Sequence, residues 1–305
     1  MPFATSSGAS IHYETHGAAS GDGGSAVAGR DEAPAVLVMG LGSDAHAWEQ
    51  QLPALAAARP VVTLDNRGVG RSAKPDGPYT TAQMAADVVA VLDSARVEAA
   101  HVVGISLGGL VAQELALRHP GRVRSLALLA TFARASAALD LAGRARPGGN
   151  AAANEATQRF AELLRALTAG GSDVGFMAVF SYLTKLVFSQ AYVARERSYL
   201  QGFYARSLQY GLSMPGLAAQ VGAVMTHDTE ARLGEIRAPS LVVLGTADAL
   251  VPPELSRDLA ARIPGARLVE IEGGTHGLNF ESADRVNKLL MEWFFANDKG
   301  ESSLH

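Results

Sequence analysis

The stretch His101-Val102-Val103-Gly104-Ile105-Ser106-Leu107-Gly108-Gly109-Leu110-Val111 decides the fold. Its first five residues form a short apolar run of the kind found in strands buried on both faces of a parallel sheet. From Leu110 to His119 the apolar spacing becomes helical. Between the two lies Gly104-Ile105-Ser106-Leu107-Gly108, with Gly109 behind it. A tight strand-to-helix turn strains the backbone of its middle residue and lifts that side chain above the end of the strand. Small neighbours are required because strand and helix pass so close. The helix that follows offers its first N–H groups to any anion formed beside it. Ser106 is therefore the candidate nucleophile.

Working outward, the same strand–helix rhythm extends in both directions. Val36–Met39, Val61–Leu64, Leu126–Leu129, Ser240–Leu244 and Arg267–Ile271 read as strands; Ala45–Ala57, Thr81–Ser94, Pro253–Arg262 and Ala283–Ala296 read as helices. Two extended stretches, Phe3–Ser6 and Ile11–Thr15, precede an exposed Gly/Ser/Ala loop over Ala18–Ala33. The alternation predicts an α/β fold, a mostly parallel central sheet flanked by helices. It breaks at about residue 133, where Asn154–Ala169, Ser172–Phe188, Tyr192–Gln209 and Pro215–Thr226 read as helices without a strand. The expected organisation is a core over 1–132 and 233–305 interrupted by a helical lid over 133–232. The polar tail Asn297–His305 is expected to fray.

Composition narrows the function classes. The 305 residues carry 26 Lys+Arg against 30 Asp+Glu, a formal charge of -4, with 48% hydrophobic residues. No basic block exists to neutralise a run of phosphates, which argues against nucleic acid as a partner. The absence of Cys excludes disulfides, thiolate metal sites and a Cys nucleophile, and suits a reducing compartment. Met1–Ser7 lacks a cationic region followed by an apolar stretch, and no run approaches the roughly 20 apolar residues of a membrane span. A cytoplasmic monomer or homodimer is expected.

A serine hydroxyl needs a base, and the base an orienting carboxylate. Of eight His, His276 stands in a Gly-flanked loop, Glu272-Gly273-Gly274-Thr275-His276-Gly277, after a strand and before the last helix. His12 and His16 read as strand-edge residues, and the others as surface, strand-start or terminal residues. No metal-ligand spacing occurs, and neither a metal nor another cofactor is called for. The acid is Asp248, in Gly245-Thr246-Ala247-Asp248, just past an apolar strand; Asp65 and Asp93 are decoys, in a Gly-rich turn and a helix. Two N–H donors are needed where negative charge develops. Leu107 supplies one and Leu41, in Met39-Gly40-Leu41-Gly42, the other.

Taken together these motifs resemble the α/β-hydrolase superfamily, over nearly the whole chain outside the lid and the Ala18–Ala33 loop. Asp65-Asn66-Arg67-Gly68-Val69-Gly70-Arg71-Ser72 looks like its D-x-R-G-x-G-x-S turn, whose Asp and Arg, the resemblance implies, brace loops near the site. Pro75–Tyr79 and Gly108–Gln113 are most similar to 3-oxoadipate enol-lactonases and related small-ester or lactone hydrolases. One departure is Met39-Gly40, where many members carry His-Gly; it removes a polar side chain from the pocket wall.

Apolar residues flank the catalytic positions: Met39, Gly40, Phe132, Leu250, Val251 and Leu278 are the candidate substrate contacts. The lid contributes Phe176, Met177, Phe180, Tyr182, Phe188, Tyr199, Phe203, Tyr204, Tyr210 and Met214 as packing and as a collective pocket roof. Arg134 is the single cation placed to meet an acidic substrate, though surface exposure is its plainer role. The expected reaction is hydrolysis of a small, largely apolar ester or lactone through an acyl-enzyme. The alternatives are a cofactor-free perhydrolase, a C–C hydrolase, lyase or cyclase, and a ligand-binding protein that keeps the triad as a relic.

Overall fold

The computed structural model describes residues 2–17, 32–135, 184–210 and 213–298. Eight strands form one sheet in the order β1-β2-β4-β3-β5-β6-β7-β8. They are β1 (Phe3–Ser6), β2 (Ala9–His16), β3 (Ala35–Val38), β4 (Val61–Leu64), β5 (Ala100–Ile105), β6 (Val123–Leu129), β7 (Ser240–Gly245) and β8 (Arg267–Ile271). β1 pairs antiparallel with β2, and β2 with β4; every other pairing is parallel. The apolar runs become strands because helices cover both sheet faces: β3, β4, β5 and β7 are buried at every residue.

The helices are α1 (Leu52–Ala58), α2 (Thr81–Ser94), α3 (Leu107–Arg118), α4 (Gln190–Arg195), α5 (Arg197–Gln209), α6 (Met214–Met225), α7 (Pro253–Arg262), α8 (Leu278–Glu281) and α9 (Ala283–Asp298). Caps explain several boundaries. Thr80 accepts from Gln83 N–H before α2, Ser189 from Tyr192 N–H before α4, and Ser213 from Gly216 N–H before α6.

Several expectations are corrected. The single helix read over Ala45–Ala57 is a 3-10 turn, Ala45–Trp48, followed by α1. Pro53 has no N–H to give and suits only a first helical turn, so a new helix begins there. Tyr192–Gln209 is two helices, broken at Glu196. Helix α3 starts at Leu107 rather than Leu110, directly after Ser106. His12 is no edge residue: β2 lies between β1 and β4, and His12 is wholly buried. Of the tail Asn297–His305, the first two residues belong to α9, and residues 299–305 lie outside the described residues. Asp298 ends α9 and takes two hydrogen bonds from Arg59, at 2.9 and 3.0 Å, and one from His101 at 2.9 Å. The Ala18–Ala33 loop through residue 31, the helix at Asn154–Ala169, and Phe176, Met177, Phe180 and Tyr182 lie outside the described residues.

Candidate active site

In parallel α/β sheets the strand carboxyl ends form the working edge. β3, β5, β7 and β8 deliver Leu41, Ser106, Asp248 and His276 to that edge, each within five residues of its strand. The turn after β5 needs its glycines. A Cβ on Gly104 would collide with the Gly108 carbonyl, and one on Gly108 with the Val38 carbonyl. A Cβ on Gly109 would lie 2.6 Å from Thr131. Ser106 itself sits at φ 54°, ψ -121°, a conformation costly for any residue with a side chain. Its carbonyl accepts from Thr131 Oγ1 at 2.9 Å, and its N–H donates to the Leu129 carbonyl at 2.9 Å. The bend is thereby held from the neighbouring strand.

Asp248 and His276 are brought together directly. His276 Nδ1 donates to Asp248 Oδ2 at 2.9 Å, and both residues are buried. Asp248 Oδ1 accepts from the N–H groups of Leu250 and Val251, each at 2.8 Å. A carboxylate only accepts, so the Nδ1 proton is fixed and the neutral ring presents its lone pair at Nε2. The Ser106 hydroxyl makes no hydrogen bond to His276 among the described residues. Such bonds are often long before substrate arrives.

The histidine loop is anchored at several points. Ala247 N–H donates to the Gly274 carbonyl at 2.8 Å, and Gly277 N–H to the Val187 carbonyl at 2.8 Å. Thr275 Oγ1 donates to Glu281 Oε1 at 2.7 Å; the same carboxylate accepts the N–H and hydroxyl of Ser189, both at 2.7 Å. Glu281 thus joins the loop beside His276 to the cap of α4.

The N–H groups of Leu41 and Leu107 donate to no protein group among the described residues, as an oxyanion site requires. Asn66 Nδ2 reaches the Met39 carbonyl at 2.9 Å and steadies the loop after β3. In the turn after β4, Asp65 accepts from Ala45 N–H and from Arg71, each at 2.9 Å. Arg67 instead pairs bidentately with Asp87 of α2, at 2.6 and 2.5 Å, both side chains being 2% exposed.

Of the expected substrate contacts, Met39, Phe132 and Val251 are buried close to the site, Gly40 abuts Ser106, and Leu250 is partly exposed. Leu278 is wholly buried in the core and offers no surface to a ligand in this state. Among the expected roof residues, Phe188 stacks on Tyr192 and meets Phe280 edge-on, as Phe203 does. Tyr210 stacks on His46 and takes the Arg71 guanidinium over its ring. Arg134 pairs with Glu230 at the junction with Asp228 and belongs to a surface tie. Sequence reading missed Glu281, Asn66 and Gln220. Gln220 left one signal, a lone hydrogen-bonding side chain within the apolar stretch Met214–Met225.

The chain matches the family model described as alpha/beta hydrolase fold over residues 34–283. It belongs to the α/β-hydrolase family. A relative from Azorhizobium caulinodans, "Putative carbamate hydrolase RutD", is 32% identical over 291 residues, 95% of this chain and 97% of the relative. The enol-lactonase from Burkholderia xenovorans LB400 superposes with a TM-score of 0.79 at 29% identity, covering 97% of this chain and all of that one. A hydrolase from Pseudomonas aeruginosa PA01 gives 0.78 at 30%, covering 96% and 97%. No helix among the described residues is long and apolar enough to cross a membrane.

Proposed function

We propose that this hydrolase is a serine enzyme cleaving a small, largely apolar carboxylic ester or lactone through an acyl-enzyme. One observation carries the reading: a buried Asp248 with three hydrogen bonds fixes the tautomer of His276 at the same sheet edge where Ser106 is held in a strained turn. His276 takes the Ser106 proton as the hydroxyl attacks the carbonyl carbon. The N–H groups of Leu41 and Leu107 receive the oxyanion. His276 then protonates the leaving oxygen and later activates water, and hydrolysis of the acyl-enzyme restores Ser106. Segment 133–232 is read as a cap over this edge.

The preference for a neutral acyl group rests on the cations. Among the described residues, Arg67, Arg71, Arg134 and Arg206 are each committed to an acidic partner, namely Asp87, Asp65, Glu230 and Glu49. A second reading has one observation behind it. The relative named for carbamate hydrolysis shares 32% identity over almost the full length, and a carbamate presents the same carbonyl electrophile.

The test is hydrolysis of p-nitrophenyl esters from acetate to octanoate, a small lactone and an aryl carbamate, with Ser106→Ala alongside. Loss of roughly 10⁴-fold or more in the variant at unchanged Tm is the expected result. Equal turnover by the variant would sink the serine mechanism. Dominant carbamate turnover would favour the second reading, and a rate flat across pH would count against His276 as base.

A further inference from the structure

Helix α6 reads Met-Pro-Gly-Leu-Ala-Ala-Gln-Val-Gly-Ala-Val-Met, and Gln220 is its one hydrogen-bonding side chain. That amide is wholly buried and used at both ends. Its Oε1 accepts from Gly42 N–H at 2.9 Å, and its Nε2 donates to the Arg67 carbonyl at 2.8 Å. Gly42 follows Leu41 in the loop after β3; Arg67 lies in the turn after β4. One side chain therefore ties two carboxyl-edge loops to a helix more than 150 positions further along the chain.

Packing points the same way. A Cβ on Gly216 would lie 2.5 Å from the Gly68 carbonyl oxygen, so α6 begins in direct contact with the turn after β4. Leu41 packs against the pair Leu217 and Val221 of α6, and a Cβ on Gly42 would lie 3.2 Å from Leu217 Cδ1. On the opposite side, a Cβ on Gly40 would lie 3.2 Å from Ser106 Cβ. The segment Gly40–Gly42 is held between the nucleophile and α6. Two glycines flank Leu41, so the segment has little conformational preference of its own and takes its shape from what grips it.

We propose that Gln220 is the positioning residue for the oxyanion donor at Leu41, which makes α6 part of the catalytic geometry. The proposal rests on the serine-hydrolase reading. An oxyanion donor lowers the barrier only if it is in place before charge develops. Fixing the Gly42 N–H fixes the peptide plane that follows Leu41, and the Arg67 carbonyl keeps the amide from turning over. Gln220 touches no reacting atom.

The experiment compares Gln220→Met, close in volume and unable to make either bond, with Gln220→Glu, which in its protonated form presents the same acceptor and donor. Turnover of p-nitrophenyl butyrate and inhibition by phenylboronic acid, whose tetrahedral adduct on Ser106 mimics the intermediate, are measured beside Ser106→Ala. Gln220→Met is expected to lower kcat roughly 10- to 100-fold with KM within about twofold, and to weaken boronate inhibition by a similar factor. For Gln220→Glu, kcat relative to wild type should fall as pH rises, because the carboxylate would face the Arg67 carbonyl. Circular dichroism gives the folded fraction. Unchanged kcat in Gln220→Met, unchanged boronate inhibition, or a loss matching the unfolded fraction overturns the proposal. If Ser106→Ala abolishes turnover and Gln220→Met is silent, only this inference fails. If Ser106→Ala retains turnover, the serine-hydrolase reading fails and takes this one with it.

Discussion

Strand β5 buries all six of its residues, whereas helix α5 buries Leu200 and Phe203 and binds Glu49 through Tyr199 and Arg206. The contrast extends to the regions these elements represent. The sheet and its flanking helices are held by apolar surface removed from water, a non-directional force that tolerates detail. The described residues between β6 and β7 add to their aromatic packing several polar ties that span the chain. Among them are Gln220 to Gly42 and Arg67, Ser189 to Glu281, and His227 to Thr81 at 2.9 Å. Burial makes a scaffold; directional bonds made by single residues aim the loops that the scaffold carries. Removing one should disturb chemistry more than stability.

The sharpest way to break the scaffold is Gly108→Val. The added atoms would meet the Val38 carbonyl and come within 2.8 Å of the Met39 carbonyl, with no flexible side chain there to yield. No cooperatively folded protein is expected, as soluble yield and circular dichroism would reveal. Next is Asp87→Ala, which strands Arg67 in a buried site and should cost about 3–5 kcal/mol in urea unfolding. A cost below about 1 kcal/mol would mean that water reaches the guanidinium.

Acid should strike both regions, through one histidine in each. Burial pushes His101 and His227 down to about 4, although Asp298 opposes this at His101, and Glu114 and Asp228 oppose it at His227. Above pH 6.5 both are neutral folded or unfolded and contribute no slope. As pH falls from about 6.5 to about 4 the unfolded chain takes up protons that the folded one refuses, so stability drops, by roughly 3 kcal/mol per histidine at the limit. Denaturant midpoints at several pH values, with His101→Asn and His227→Asn each removing its share of the slope, would apportion the effect. A slope unchanged in both variants would refute the assignment.

The smallest expected change in stability separates the regions best. Glu281→Gln weakens the link between α4 and the histidine loop, and should lower stability by about 1 kcal/mol or less. It should still reduce kcat several-fold at nearly constant KM, since Thr275 and hence His276 lose an anchor. An equal loss in an unfolding assay and in kcat would instead class Glu281 with the scaffold.

The same division explains what could be read from residues alone. The core strands announced themselves as apolar runs because burial on both faces leaves a local pattern, and α2 and α7 matched to the residue. Ser106, Asp248 and His276 stand out as candidates because each follows a strand in a turn whose composition is itself a signal. Asn66, Gln220 and Glu281 were not, because their partners lie 27, 178 and 92 positions away and periodicity carries nothing across such distances. The split between α4 and α5 leaves no mark in the sequence, because Glu196 is as good a helix former as its neighbours. Asp298 looks like tail in the sequence because a short polar run reads the same whether or not an arginine waits for it.

The backbone at Ser106 has a consequence for how such a chain drifts under mutation. At φ 54° glycine is the comfortable occupant, and Ser106→Gly should raise stability by about 1 kcal/mol while removing the proposed nucleophile. Thermodynamics and chemistry thus pull this one position in opposite directions. A descendant that kept the fold only to hold a ligand would be free to relax there, and its melting temperature would rise as its chemistry disappeared. Serine at this bend is a residue that stability alone would discard.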